Sequence, residues 1–433
     1  MIDTAKNIIT LGIIFPIVIG VGGYFSTRLG FLQVTQLKKA ASLVTLKERK
    51  GGISSFGAMA AILGGNLGTG NISGVAVAMM TGGPGALFWM WVMAILASIT
   101  KYVGCFLGVH FQVKNARGEW EGGPMYYLKE GLKSKLLARL FCIFTITSAL
   151  TVGNLVQVHA LSLPVSELNF NPLLFGIFLA ILVGGVLFGG MRRFAHVVSA
   201  LVPLMAIAYV GTCLTILVMF RHEILPSLAL IVRSAFAFEP IGGGSLGFLL
   251  AIRSGFDRGL FATDSGLGLA PILHASVYDP DKRHDNRHTQ GLISVLSPMI
   301  VMIVCTVTGL VLLTTKAFTH TELPSTTMCM EAFRTGFNSF WAGHIVSITL
   351  FFFAFTTILT WNFCANRAVE FLFGIRFVTP FQWLFICLVP VGAFLHEGAV
   401  WTFADFSTNL MFIINMIGVF FLSKIVFRER PKN

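Results

Sequence analysis

Residues 64–74 read Gly-Gly-Asn-Leu-Gly-Thr-Gly-Asn-Ile-Ser-Gly, in the middle of an apolar run over about residues 55–80. Five of these eleven residues are glycine, and each glycine costs a helix interior about 1 kcal/mol relative to alanine. Close packing of two helices through small residues is one explanation. Packing alone does not need the polar side chains among the glycines, which are Asn66, Thr69, Asn71 and Ser73. The stretch therefore predicts an interrupted helix whose freed backbone groups line a cavity.

The composition predicts an all-α protein built from membrane-spanning helices. Of the 433 residues, 55% are hydrophobic and only 12% are charged, whereas a typical soluble protein is about 25% charged. The mean hydropathy is +0.80. These values exclude a soluble enzyme, a disordered chain and a fibrous repeat, and the long apolar runs exclude an outer-membrane barrel. The net charge of +12 lies in short loops between the apolar runs, so we expect no nucleic-acid partner.

Eleven apolar stretches approach the roughly 20 residues that a helix needs to cross a bilayer. They lie at about 8–24, 55–80, 86–111, 137–162, 172–190, 196–220, 245–275, 290–315, 343–372, 380–396 and 401–423. We expect 8–24 to be a retained helix and not a cleaved signal peptide, because Lys6 is the only basic residue before it and no small-residue cleavage site follows it. Residues 1–433 are then a single membrane domain in contact with lipid.

Lysine and arginine alternate between successive loops, which predicts the orientation. The 25–54 and 112–139 segments carry six each, whereas 81–85 and 163–171 carry none. Cytoplasmic loops concentrate these residues, so the N-terminus is expected outside and the C-terminus in the cytoplasm of a cell whose plasma (inner) membrane the chain crosses many times. Two segments outside the spans look amphipathic, 114–133 inside and 325–340 outside. Of the seven cysteines only Cys329 is expected in a loop, on the outer face.

A second interruption is predicted at residues 258–268, which read Arg-Gly-Leu-Phe-Ala-Thr-Asp-Ser-Gly-Leu-Gly. Interrupted helices at matching places in two halves mark the binding site of an inverted-repeat transporter. Five predicted spans (55–220) precede the 221–244 loop and five (245–423) follow it, and an odd number per half inverts the second half. Helix N-termini at the breaks attract an anionic group and C-terminal carbonyls attract a cation. A zwitterionic amino acid with Na⁺ would suit such a site.

Sequence motifs along nearly the whole chain carry a resemblance to a known family. They are residues 68–76 (GTGNISGVA), 82–86 (GGPGA), 100–102 (TKY), 121–127 (EGGPMYY), 258–261 (RGLF), 290–292 (QGL), 355–359 (FTTIL), and Trp401 with Ala404, Asp405 and Asn409. In this order they resemble the alanine or glycine:cation symporters, also called sodium:alanine symporters, of the amino acid–polyamine–organocation superfamily. The resemblance implies the leucine-transporter fold, a five-plus-five inverted repeat, with residues 8–24 as one extra N-terminal helix.

Five positions depart from the family's pattern. Two family glutamates are replaced, an Asn-Glu pair reads Thr263-Asp264, an aspartate is missing, and a glycine before Trp361 is changed. The residues at these positions are Gly104, Asp264, Val301, Thr360 and Asn366. The preference for alanine and for sodium is therefore a separate question from family membership.

The resemblance assigns the candidate substrate site. Backbone N–H groups of the first break would hold the substrate carboxylate, an aromatic wall would cover a small side chain, and a tryptophan would limit pocket size. The residues are Thr69, Gly70, Asn71, Gln157, Phe261, Thr357 and Trp361. The structural alternative for Thr69, Gly70 and Asn71 is a break that serves only helix packing. For Gln157 it is an interhelical hydrogen bond, and for Phe261 a core position.

The resemblance also assigns a cation site, formed by neutral oxygens of Gly64, Leu67, Thr356 and Thr357. Hydroxyls of threonines in helices also bond back to the preceding turn, which is the structural alternative. Asp264 is a candidate proton-carrying or gating acid, because an acid within the membrane is a functional hypothesis by default. A structural cluster of ion pairs that includes the neighbouring Arg253, Asp257 and Arg258 is the alternative, and His274 and Asp405 are expected to be structural.

The leading functional expectation is a symporter that imports a small neutral amino acid, alanine or glycine, with Na⁺. Coupling to H⁺, with another small substrate, is the main alternative. An intramembrane enzyme and a channel are remote ones, because neither a nucleophile–base set nor a repeated filter is present in the sequence. No cofactor is expected beyond the coupling ion, and the oligomeric state is left open.

Overall fold

We describe the chain from a computed structural model. The described residues are 9–44, 54–115, 118–237, 247–277, 286–319, 322–395 and 397–429. Parts of the 25–54 and 221–244 loops lie outside them, as does the side chain of Trp401.

The first half of the chain is helical, apart from one short hairpin. A π-helical turn at Thr10–Ile14 leads into the first helix. The helices are α1 (Phe15–Arg28), α2 (Leu32–Thr35), α3 (Leu37–Val44), α4 (Ser55–Asn66), α5 (Ser73–Gly82), α6 (Gly85–His110), α7 (Pro124–Tyr126), α8 (Lys135–Leu150), α9 (Val156–Glu167), α10 (Pro172–Leu187), α11 (Gly190–Met219) and α12 (Arg221–Ala235).

The second half of the chain is also built from helices. Its members are α13 (Gly247–Thr263), α14 (Leu269–His274), α15 (Asn286–Thr314), α16 (Ser325–Phe337), α17 (Gly343–Phe373), α18 (Val378–Leu388) and α19 (Glu397–Arg428). Each half has a broken helix, then two long helices, a short helix and a helix of 30 or 32 residues. The inverted relation between the halves stays a prediction.

Within the described ranges, eight helices are long and apolar enough to cross a membrane. They are Thr10–Arg28, Gly85–His110, Lys135–Glu167, Arg193–Met219, Asn286–Thr314, Phe340–Phe373, Ile375–Phe394 and Phe403–Arg428. The other three predicted spans are the two broken helices and α10, which has 16 residues. The chain is thus mostly helical with several membrane-spanning helices, and the count of eleven stays a prediction.

The N-terminal helix packs beside the helices of the first and second halves. A Cβ atom at Gly22 would lie 2.6 Å from the Leu96 carbonyl oxygen, so only glycine permits this approach of α1 to α6. At its start, the Thr10 hydroxyl donates to the Asp257 carboxylate over 2.6 Å. The extra helix is therefore tied to α13, which carries the second predicted break.

The two amphipathic segments differ in structure. Residues 325–340 contain α16, as helical periodicity suggests, but 114–133 contain an antiparallel hairpin of β1 (Val113–Lys114) and β2 (Trp120–Glu121), followed by α7. Arg367 of α17 bonds the hairpin at Glu121 over 3.2 Å. Burial raises the pKa of the Glu121 carboxyl above its usual range, and the Tyr126 hydrogen bond and the Arg367 charge offset part of that rise.

The expectation that Cys329 lies in a loop is wrong. It lies in α16, is 2% exposed, and its thiol approaches the Ile72 carbonyl oxygen at 3.5 Å. The apolar face of α16 turns it inward, a feature that a search for apolar spans misses. Cys329 is therefore unsuitable for probing the outer face.

We predict the orientation from two exposed positions instead. In a Cys387→Ser background, which removes the exposed native thiol, Trp341→Cys lies on the expected outer side, where Trp341 is 73% exposed. Lys135→Cys lies at an exposed site on the expected cytoplasmic side. A membrane-impermeant maleimide added to intact cells should label only the Trp341→Cys variant. Labelling of Lys135→Cys alone would show that the orientation is reversed.

Candidate functional site

The first break forms where the glycine-rich stretch predicted it. Helix α4 ends at Asn66, a 3₁₀ turn covers Thr69–Asn71, and the helix resumes at Ser73 as α5. Gly68 is extended, and a Cβ atom there would lie 2.7 Å from the Thr357 hydroxyl and 2.9 Å from the Gln157 amide oxygen. Glycine is thus required so that the break can approach α9 and α17.

Gln157 holds the first break through both ends of its amide. Its Oε1 accepts from the Thr69 backbone N–H at 3.1 Å, and its Nε2 donates to the Val152 carbonyl at 3.0 Å. Val152 lies in a π-helical segment, Thr151–Leu155, which joins α8 to α9. The interhelical hydrogen bond, given above as the structural alternative for Gln157, is therefore present, and it fixes the backbone donor predicted to meet substrate.

The second break lies directly against the first. Helix α13 ends at Thr263, Asp264 has a φ of +49°, and Gly266 and Gly268 have φ values of +88° and +95°. The Asn66 amide donates to the Thr263 carbonyl over 2.9 Å. Asn66 thereby gives a partner to a carbonyl at the end of a helix that has no next turn to supply one.

Asn71 bridges within the first break. Its amide nitrogen donates to the Asn66 carbonyl over 2.5 Å, and its amide oxygen accepts from the Cys305 thiol at 3.2 Å. The side chains of Asn66 and Asn71 therefore replace backbone partners that an unbroken helix would have supplied. Because the hydrocarbon core offers no water, such replacement is what permits a break at this depth.

Phe261 lies on the first break at Gly70. A Cβ atom on Gly70 would lie 2.5 Å from the Phe261 ring, so the ring is in contact with the backbone. Phe261 is 8% exposed. The Arg258 guanidinium lies 5.7 Å from the ring centroid and donates to both carboxylate oxygens of Asp405, at 2.7 and 2.8 Å. The Phe261 ring is thus packed against a buried ion pair between α13 and α19.

Three of the four predicted cation ligands lie together, because the Thr356 and Thr357 hydroxyls converge on the Gly64 carbonyl. The Thr357 hydroxyl donates to the Gly64 carbonyl at 2.9 Å, and the Thr356 hydroxyl approaches the same oxygen at 3.3 Å. Thr356 also bonds back to the Phe352 and Phe353 carbonyls, both at 3.1 Å, as its structural alternative foresaw. Thr360, on the same helix, donates in the same way to the Ala61 carbonyl of α4 at 3.1 Å.

Trp361 lies one turn beyond Thr357 on α17 and is 1% exposed. A Cβ atom on Gly153 would clash with the Trp361 Cβ, so α17 meets the π-helical segment that precedes Gln157. Thr357 and Gln157 both border Gly68. The structure therefore brings Gly68, Gln157 and Thr357 together, with Trp361 one helical turn away and Phe261 at the neighbouring Gly70.

The structural alternative for Asp264, an ion pair with Arg253 or Arg258, is not what the structure contains. Arg258 pairs with Asp405, and Arg253 lies 3.7 Å from Asp257. The Asp264 carboxylate, 3% exposed, interacts electrostatically with Lys101 instead, and its Oδ2 has no hydrogen-bond partner. Lys101 donates to the Thr263 carbonyl at 2.9 Å and the Ser297 hydroxyl at 2.8 Å. Sequence neighbours proved misleading because the partner comes from α6.

The remaining departures from the family pattern occupy packed positions. Gly104 lies against Pro271, since a Cβ atom there would be 3.2 Å from its ring, and Val301 is fully buried. The Asn366 amide donates to the Asn362 amide oxygen at 2.8 Å. The structural reading of His274 fits its buried ring, which bonds the Gln290 amide oxygen over 2.7 Å.

Lys101 and Asn66 are the two important residues to which sequence reasoning gave no role. Both were visible as polar groups in apolar runs, and a lysine within a predicted span is itself a signal of a specific partner. The sequence did not identify the partner of Lys101, because Thr263 lies 162 positions away along the chain.

The sequence model that describes the sodium:alanine symporter family matches residues 1–432. The chain belongs to the sodium:alanine symporter family. Among its relatives, an "Uncharacterized transporter" of Haemophilus influenzae is 40% identical over 417 residues, which cover 95% of this chain and 90% of that protein. The "Sodium/alanine symporter AgcS" of Methanococcus maripaludis is 34% identical over 442 residues, covering 99% and 96%.

Relatives within the sodium:alanine symporter family do not all carry the same substrate name. The "Probable sodium/glutamine symporter GlnT" of Bacillus subtilis is 30% identical over 435 residues, covering 99% of this chain and 89% of that protein. Membership makes this chain an integral membrane transporter and not an enzyme. The substrate and the coupling ion have to be argued from the site.

We predict that Gly70→Ala destabilises the protein through the Phe261 ring. The new methyl group overpacks a buried contact, which costs about 1–3 kcal/mol. Gly74→Ala is the matched control, because its Cβ atom would meet only the Thr69 carbonyl, at 3.8 Å. Thermal unfolding of the purified protein in detergent should show a lower midpoint for Gly70→Ala and little change for Gly74→Ala.

The double variant with Phe261→Ala tests the contact itself. Removing the ring makes room for the methyl group. The loss of stability in the double variant should therefore be smaller than the sum of the losses in the two single variants. Fully additive losses would mean that the ring and Gly70 are not in contact.

Proposed function

We propose that the protein is a secondary active symporter that imports a small neutral amino acid, alanine or glycine or both, together with Na⁺. It works in the plasma (inner) membrane by alternating access. The proposal includes eleven membrane-spanning helices, with an extra N-terminal helix outside a five-plus-five inverted repeat of the leucine-transporter type. The N-terminus is outside and the C-terminus cytoplasmic.

The meeting of the two broken helices is the observation that carries the proposal. Asn66 joins them directly through the Thr263 carbonyl at 2.9 Å. This contact joins the C-terminal ends of α4 and α13, and Asn71, which bonds the Asn66 carbonyl, lies just before the start of α5. C-terminal ends with partial negative charge and an N-terminal end with partial positive charge therefore lie close together. A zwitterion matches that pair of partial charges, because it carries both signs on adjacent atoms.

The substrate carboxylate is proposed to bind at the first break. Thr69, Gly70 and Asn71 supply backbone N–H groups and one side-chain amide. The Thr69 N–H already donates to Gln157, so Gln157 holds the donor in position and turns its amide toward substrate when the carboxylate arrives. On binding, the Thr69 N–H then exchanges a neutral acceptor, the Gln157 amide oxygen, for the charged substrate carboxylate. Hydrogen bonds to charged groups are stronger than those between neutral groups.

Substrate size is proposed to be limited by Phe261 and Trp361. Both rings are buried, and each touches a glycine on the facing element: Gly70 for Phe261 and Gly153 for Trp361. Thr357 borders the same space at Gly68. Surroundings of two rings and bare backbone suit a side chain of no more than about one or two carbons.

The coupling ion is proposed to be held by neutral oxygens. Gly64 and Leu67 supply backbone carbonyls, and Thr356 and Thr357 supply hydroxyls. The Phe353 carbonyl, 3.1 Å from the Thr356 hydroxyl, adds a fifth oxygen that the sequence did not suggest. Hard cations prefer several oxygen ligands, and neutral ones bind Na⁺ without burying further charge. The Thr356 and Thr357 hydroxyls donate to the Gly64 carbonyl in this structure. When the ion binds, their hydrogens would turn away so that the oxygens face it.

Proton coupling is the second candidate, with Asp264 as carrier. The observation in its favour is the buried Asp264 Oδ2, which has no hydrogen-bond partner although Gly65 of the first break is adjacent. Lys101 lies close enough to attract the carboxylate. Sodium is preferred because the Thr356 and Thr357 hydroxyls already converge on the Gly64 carbonyl.

We predict that Trp361→Ala changes the substrate range. Loss of the indole removes a packing contact worth about 1–3 kcal/mol and leaves a cavity. The concentration of alanine for half-maximal uptake should rise about tenfold, or valine and leucine should become substrates. Trp341→Ala, at a position 73% exposed, is the control and should change neither. Unchanged alanine and glycine uptake without gain of longer substrates would remove Trp361 from the pocket.

We predict that Thr356→Val weakens sodium coupling. Valine keeps the shape and deletes one oxygen, so the sodium concentration for half-maximal uptake should rise about tenfold, as for loss of one bond to a charged group. Thr349→Val is the matched control, because Thr349 lies on the same helix and its hydroxyl bonds back to Ile345 at 2.8 Å.

The rival ion gives opposite results in the same assay. Under proton coupling, Asp264→Asn abolishes pH dependence and Thr356→Val has little effect. Uptake that follows a proton gradient and persists when choline replaces sodium would exclude sodium. The assignment to amino-acid symport would survive that result.

A further inference from the structure

A second cavity lies beyond Trp361, toward the end of α17 that is expected to face the cytoplasm. Its cavity volume is about 90 Å³, smaller than the roughly 300–1,000 Å³ of typical small-molecule pockets, so it suits only a small ligand. Asn362, Asn366, Arg367 and Glu370 line it from α17, and Glu119 lines it from the hairpin. At 1.5 Å per residue, Asn362 to Glu370 spans about 12 Å of helix.

The deep part of the cavity contains buried polar atoms without partners. Asn362 is fully buried, and its Nδ2 has no hydrogen-bond partner. The Asn366 Oδ1 and the Arg367 Nε are likewise buried and unpaired. The two asparagines bond each other through their other amide atoms at 2.8 Å, which fixes the free donor and the free acceptor. Buried polar groups are nearly always paired, so two free donors and one free acceptor in one cavity suit a small polar ligand with groups of both kinds.

The mouth of the cavity carries a surplus of negative charge. Arg367 bonds Glu119 at 2.8 Å, and Glu121 and Glu370 at 3.2 Å each, so one cation faces three carboxyl groups. The Glu119 side chain is 34% exposed and that of Glu370 is 12% exposed. The cavity thus has accessible carboxylates at its mouth and amides at its deep end.

We propose that this cavity is a second binding site for the transported zwitterion, occupied on the cytoplasmic side of the central site. The substrate carboxylate accepts from Asn362 Nδ2 and Arg367 Nε. The ammonium group donates to Asn366 Oδ1 and toward the carboxylates of Glu119 and Glu370. Asn362 directly follows Trp361, so a substrate that passes the indole meets this site next. The inference rests on the proposed function, because it takes the same substrate class.

The test compares the two faces of the protein reconstituted in liposomes of known orientation. Half-saturating concentrations of labelled alanine and glycine are measured for transport from each face. Asn362→Leu and Asn366→Leu keep the side-chain size and remove the polar atoms. Each should raise the half-saturating concentration about tenfold from the cavity's face and less than twofold from the other face.

The control variant is Gln382→Leu, since Gln382 lines the same cavity without a buried unpaired atom. It should change neither face. An equal rise from both faces, no rise, or the same rise in Gln382→Leu would overturn the proposal. A change in the half-saturating concentration of sodium but not of alanine would mean that the cavity holds the cation, which would also overturn the proposal.

Two further readouts keep the result unambiguous. If Asn362→Leu does not fold, Asn362→Ser removes the amide at lower cost in packing and should give the same one-sided rise. Wild-type protein that carries neither alanine nor glycine would instead refute the proposed function. That outcome is distinct, because the second site is tested only on variants of a protein whose wild type transports.

Discussion

Unpaired backbone groups within the membrane are the constraint on which the rest of this structure depends. Two helices stop in mid-span, and the hydrocarbon core offers no water to complete their hydrogen bonds. Three amide side chains and one lysine supply partners instead: Asn66, Asn71, Gln157 and Lys101. Asn66, Gln157 and Lys101 each bond a distant part of the chain, whereas Asn71 bonds Asn66 within the first break. The breaks can therefore exist only in the assembled bundle, and their exposed ends become a polar centre in an apolar protein.

The packing around that centre follows from the same constraint. Glycines allow the side chains of α9, α13 and α17 to contact the broken backbone directly, with Thr357 and Gln157 at Gly68 and Phe261 at Gly70. Phe261 is backed by the Arg258–Asp405 ion pair, in which one guanidinium nitrogen donates to both carboxylate oxygens and joins α13 to α19. Helix α17 then links the centre to the second cavity, since Thr357, Trp361 and Asn362 follow one another along it. A shift of α17 would change both places together.

Sequence reasoning predicted local breaks well and distant pairings poorly. Glycines and polar residues in an apolar run identified both interruptions, and the motif order identified the family. The partner of Asp264 was wrong, because Lys101 lies on another helix and nothing in the local sequence indicates it. Cys329 was wrongly expected in a loop, because α16 is amphipathic and too polar to register as a span. The hairpin at 113–121 was missed, since two-residue strands carry almost no pattern. The proposed site residues and the inverted repeat stay predictions.

Solute counterflow tests most directly the claim that the two breaks form a joint site for a zwitterion and a cation. Liposomes containing the purified protein are loaded with unlabelled alanine and diluted into a trace of labelled alanine or glycine, with sodium or with choline on both sides. The account predicts transient accumulation of label in sodium, and little or none in choline. Equal accumulation in choline would contradict the cation half of the claim. Absence of accumulation for both amino acids in sodium would contradict the claim as a whole.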